Sequence, residues 1–123
     1  MAAQPDDRAA ASTSPARHAA EAYQTHISAG DADALIALFA PDAVVLHPAG
    51  EFRGPDAIRG FYETNVLPFG VVMDAVSWVS DHRTCVFEIE AHAASGGPAM
   101  YAIDHLTVDD DGRIARLAIY YRR

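Results

Sequence analysis

The strongest constraint on this chain is a change of hydrophobic period at Pro68. Ahead of it, apolar residues recur every three or four positions. Beyond it they alternate, one in and one out. Ser14-Pro15 reads as a helix N-cap and first turn, followed by Ala19, Ala20, Tyr23 and Ile27 at helical spacing and closed by Gly30. A second, shorter helix opens at Asp31 and Asp33 and carries Leu35, Ile36, Leu38 and Phe39 up to Pro41. A third starts at Pro55-Asp56, carries Ile58, Phe61 and Tyr62, and stops before Pro68. A short strand, 43–47, with a hairpin partner near Phe52, separates the second helix from the third. Alternation then predicts strands over 71–79, 84–93, 99–108 and 113–121, with Asp109-Asp110-Asp111-Gly112 as the last hairpin turn. Helices first and a strand meander afterwards predict an α+β domain, its helices covering one face of an antiparallel sheet.

With 123 residues, half of them hydrophobic and a fifth charged, the chain is of a size and composition to fold as one domain. Residues 1–13 show no periodicity and read as a disordered tail, which leaves 14–123 as the single domain. No apolar run approaches the roughly 20 residues of a membrane span, and the N-terminus has no apolar signal stretch. A cytoplasmic protein that leaves membranes alone is the expectation. The net charge of −8 repels phosphate backbones, so nucleic acid is not an expected partner. The single Cys85 falls in a strand pattern and rules out an intrachain disulfide. The histidines lack metal-ligand spacing, so no metal is expected. His92 and His105 fall on the strand face opposite Asp104.

One position breaks the pattern. In 99–108, Met100, Ala102, Asp104, Leu106 and Val108 share a face, which puts an acid in the middle of a surface built for burial. An unpaired buried carboxylate is costly, so Asp104 must pair, find a hydrogen bond, or take up a proton. A capped structural acid and an acid kept neutral to donate a hydrogen bond both fit this pattern.

The stretch AYQTHISAGDADALIALFAPDAVVLHP, Ala22 to Pro48, resembles the opening of the Δ5-3-ketosteroid isomerases and their cone-fold, SnoaL-like relatives. RGPDAIRGFY, Arg53 to Tyr62, and AIDHLTVDDDGRI, Ala102 to Ile114, are similar to later parts of that family in the same order. The resemblance implies a cone-shaped curved antiparallel sheet wrapped around three N-terminal helices, with an apolar pocket at the open end. It also implies catalysis without a cofactor. The family's oxyanion tyrosine falls on Tyr23, its supporting tyrosine on Tyr62, and its protonated aspartic acid on Asp104. These isomerases are the standing example of a carboxylic acid kept neutral by an apolar site.

The family's base is an aspartate before a proline, and here that place belongs to His47, before Pro48. A neutral imidazole removes protons near neutrality, so the resemblance implies His47 as the base; a merely structural histidine is the other reading. In an open cone, Phe61, Phe87, Met100, Leu117 and Tyr121 would line the pocket and favour a flat apolar ligand. Trp78 and Tyr120 would line it too or cover a homodimer interface of the kind usual for such folds. The implied activity moves a double bond beside a carbonyl, as in a ketosteroid, by base-mediated proton transfer with Tyr23 and Asp104 as oxyanion donors. The same fold also admits a polyketide cyclase, a hydrolase, or a non-catalytic binding module.

Overall fold

A computed structural model describes residues 14–122, so the expected tail at 1–13 lies outside the described residues. The first helix, α1 (Pro15–Ala29), starts where the Ser14 side chain accepts from the Arg17 amide at 3.1 Å. It ends at Gly30, whose φ of 70° is the left-handed cap that suits glycine. Its buried stripe of Ala16, Ala19, Ala20, Tyr23 and Ile27 is the one predicted from spacing.

The second helix, α2 (Ala32–Ala37), is capped by Asp31 and stops two residues earlier than its apolar pattern suggests. Phe39, expected on this helix, instead begins strand β1 (Phe39–His47). The reason is Pro41, which disfavours the helical region for the residue before it and turns the chain extended ahead of the ring. A register shift between Phe39 and Val44 accommodates that proline inside the strand.

Strand β2 (Gly50–Arg53) closes a hairpin on β1, and α3 (Gly54–Asn65) follows, burying Ile58, Phe61 and Tyr62. A short 3-10 turn, Leu67–Phe69, leads into the meander β3 (Val72–Ser80), β4 (Thr84–His92), β5 (Met100–Val108) and β6 (Ile114–Arg122). The four strands expected after Pro68 agree with those observed to within a residue or two, the usual uncertainty of element ends, whereas β1 starts four residues ahead of its expected first residue.

The six strands form one sheet in the order β2-β1-β6-β5-β4-β3. The sheet is curved and does not close on itself. It is mixed: β1 runs parallel to β6, whereas every other neighbouring pair is antiparallel. Alternation tells which face a residue takes but carries no information on strand direction, so the parallel pair was not legible. The helices cover the inner face. Cys85, Phe87, Ile89 and Ala91 on β4 pack with Leu106, Leu117 and the α1 stripe into one continuous core. Among the described residues no helix is long and apolar enough to cross a membrane.

Candidate active site

One end of the core opens into a cavity of about 290 Å³ between α1, α3 and the inner face of the sheet. Tyr23 and Tyr62 line it from the helices, and Asp104, Ile119 and Tyr121 from the central strands. Phe69, Val71, Met73, Pro98 and Met100 form part of the remaining apolar wall.

Tyr23 is set by the buried stripe of α1, and Tyr62 follows Phe61 on the inner side of α3. Their hydroxyls are 2.7 Å apart and their rings meet edge to face. Burial pushes both phenols above their ordinary range, and the nearby Asp104 acts in the same direction, so both keep their protons.

Asp104 sits in β5 opposite Phe87 of β4 and Ile119 of β6. It is 1% exposed, and neither carboxyl oxygen has a hydrogen-bond partner among the described residues. With no donor to hold the charged form, desolvation alone pushes its pKa from 3.8 to about 8. Of the two readings left open by the sequence, a structural acid capped by a nearby donor finds no such donor among the described residues. The carboxyl is an unsatisfied group on the wall of an apolar cavity.

His47 is not among the lining residues but packs directly against two of them, Phe61 and Tyr121. It ends β1, half-buried, with its ring against Phe61 and edge-on to Tyr121. The Ala49 amide donates to its Nδ1 at 3.0 Å, across the turn made by Pro48. Its Nε2 is 2.9 Å from the Tyr121 hydroxyl. Neutral imidazole has one N–H, and here Nδ1 must accept. The proton therefore resides on Nε2, which donates to Tyr121. Burial lowers the His47 pKa from 6.5, which keeps the ring neutral at neutral pH. In this arrangement His47 offers a hydrogen rather than a lone pair, which counts against the base role implied by the resemblance.

Of the expected lining residues, Phe61, Met100 and Tyr121 do line the cavity, whereas Phe87 and Leu117 do not. Phe87 is sealed between Tyr23 and Trp78, the latter stacked on it at 5.1 Å, and Leu117 is wholly buried in the core. Trp78 lies over the core with the Arg17 guanidinium 3.9 Å above its ring, and Tyr120 is exposed. His92, expected on the far face, is among the lining residues where β4 ends at the mouth, and it pairs with Glu90 at 2.7 Å. Asn65, Val66 and Phe69 also line the mouth. Their only sequence signal was proximity to the turn at Pro68. Among the described residues no group of three or more His, Cys, Asp or Glu is placed to hold a metal ion.

A family model for the SnoaL-like domain matches residues 20–117. A steroid Delta-isomerase of Nocardioides simplex is 29% identical over 102 residues, covering 80% of this chain and 83% of that protein. A polyketide cyclase candidate from Sinorhizobium meliloti has 27% identity and a TM-score of 0.74, covering 83% of this chain and 93% of its own. A computationally designed 17-OHP binder shares the fold at a TM-score of 0.79 and 22% identity, over 89% of this chain and 92% of its own. The match to the family model spans the helices and most of the sheet, and the chain belongs to the SnoaL-like domain family.

Proposed function

We propose that this protein is a cofactor-free enzyme that shifts a double bond beside the carbonyl of a flat, apolar, steroid-like molecule, with Asp104 as the proton carrier. The observation that carries this reading is a carboxyl with two unpartnered oxygens on the wall of an apolar cavity, beside the Tyr23–Tyr62 hydroxyl pair. Burial raises Asp104 to about 8, so it titrates near neutrality, where a general base works best.

The carboxylate takes a proton from the carbon next to the carbonyl. The C–H electron pair moves into a new C–C double bond, and the carbonyl oxygen becomes an oxyanion. Tyr23, braced by Tyr62, donates a hydrogen bond to that oxygen. Asp104, now a neutral acid, returns the same proton to the far carbon of the conjugated system. No proton is gained or lost overall.

This exchanges the roles implied by the resemblance, in which His47 is the base and Asp104 a neutral donor. For His47 to accept at Nε2 it must become the Nδ1–H tautomer and give up the Ala49 bond, at a cost of about 1 kcal/mol. That cost is modest. Position also favours Asp104, which lines the cavity itself, whereas His47 sits behind the lining residues Phe61 and Tyr121.

The similarity to a steroid Delta-isomerase and to a polyketide cyclase candidate supports an apolar ligand and enzymatic work on it. The test is addition of a Δ5-3-ketosteroid, with the ultraviolet absorbance of the conjugated enone followed over time. Enone formation that Asp104→Asn abolishes supports the reading. A wild-type protein inert toward every such substrate would sink the isomerase. The alternative would then be a ring closure begun by the same proton abstraction, which the 27% identity to the polyketide cyclase candidate favours.

A further inference from the structure

We propose that Tyr121 is a second hydrogen-bond donor to the ligand oxygen, and that His47 is the positioning residue that aims it. This rests on the reading above only in that an oxyanion forms in the cavity.

The turn after β1 fixes which ring nitrogen of His47 carries the hydrogen. Because the Ala49 amide occupies Nδ1 of His47, Nε2 carries the hydrogen and gives it to the Tyr121 oxygen. That oxygen is engaged as an acceptor, so its own O–H is not needed by His47 and is left for the cavity that Tyr121 lines. Tyr121 stands opposite Ala102 on the paired strand, and Asp104 is two residues further along that same face. Its hydroxyl therefore shares a neighbourhood with the carboxyl.

The arrangement parallels the one on the helices. There, the Tyr23 hydroxyl reaches the cavity wall and is held by the hydroxyl of Tyr62. Here, the Tyr121 hydroxyl is held by the imidazole N–H of His47. Hydrogen bonds in such a chain polarise one another, so a donor braced from behind is stronger than a free one. Partial burial and the nearby Asp104 both raise the Tyr121 pKa, so the phenol keeps the proton it has to donate.

The probe is 2-naphthol, a planar phenol whose naphtholate form mimics an enolate, with 2-methoxynaphthalene as the neutral control that cannot ionise. Binding of the naphtholate is read from its own fluorescence. Tyr121→Phe is expected to weaken naphtholate binding by about tenfold, the effect of one hydrogen bond to a charged group, and to leave the methyl ether unaffected. His47→Ala should weaken it in the same direction. His47→Gln, whose amide N–H extends about as far as Nε2, should restore part of the loss. The double variant His47→Ala/Tyr121→Phe should bind no worse than Tyr121→Phe alone, because His47 acts only through Tyr121.

The proposal fails if wild type does not bind the naphtholate or if Tyr121→Phe binds it as tightly as wild type. It fails equally if the His47→Ala loss persists in full when Tyr121 is already Phe. Naphtholate binding that depends on Tyr121 in a protein inert toward ketosteroids leaves the donor assignment standing and removes the isomerase. If His47→Ala melts early, His47→Gln alone carries the comparison, with binding between that of wild type and that of Tyr121→Phe expected and a loss equal to that of Tyr121→Phe overturning the positioning role.

Discussion

The hydroxyls of Tyr23 and Tyr62 meet at 2.7 Å although 39 residues separate them, one on α1 and the other on α3. Both side chains are almost wholly buried, and one end of their contact is a cavity wall. Tyr62→Phe should therefore leave Tyr23 without its brace. The expected loss is about fivefold to tenfold in turnover, with ligand affinity nearly unchanged, because the bond matters most once charge develops on the ligand oxygen. Unchanged turnover in steady-state kinetics would mean that Tyr62 is packing alone.

The pH dependence separates the two assignments of the base. If the Asp104 carboxylate takes the proton, kcat/KM should rise with pH, by about tenfold per unit, and level off above about 8. If Asp104 must instead stay protonated, the rate should fall as pH rises through the same point. A His47 base would give a rise that is complete at acidic pH, because its pKa is lowered from 6.5. A pH-rate profile decides among the three shapes.

Asp104 is also expected to limit stability. Its folded-state pKa, about 8, lies above the ordinary 3.8, so between those values the folded protein holds a proton that the unfolded chain has released. Stability from this group is fully present below about pH 4, falls by up to about 1.4 kcal/mol per pH unit as pH rises, and levels off above about 8. Asp104→Asn stays neutral throughout. Thermal melts should show it gaining on wild type from pH 4 to pH 8 while activity falls by about 10² to 10⁴. A constant melting difference across that range would mean that the carboxyl is hydrated.

Leu117 and Met100 were both expected in the pocket, and the structure separates them. Leu117 is fully buried away from the cavity, so Leu117→Ala should cost about 2–5 kcal/mol of stability and leave KM alone. Met100 lines the cavity and is 52% exposed, so Met100→Ala should weaken ligand binding while changing stability by about 0.5 kcal/mol or less. Denaturant melts paired with KM values check both, and an altered KM in Leu117→Ala would return that residue to the pocket.

Local sequence determined a good deal here. Caps and turns are short-range chemistry: Ser14 and Gly30 bound α1, and Asp109 holds the last hairpin by accepting from the amides of Asp111 and Arg113. Alternation along β5 sufficed to put Asp104 on the buried face, because side chains change sides at every residue of a strand. What the sequence left undecided was every relation between distant segments. Nothing in it showed that β1 would lie parallel to β6. That pairing is what brings His47 to Tyr121, 74 residues away. Only the assembled sheet sets the imidazole against a phenol. Its ring nitrogens meet two partners, an amide two residues along and a phenol on another strand, and sequence spacing reveals neither contact.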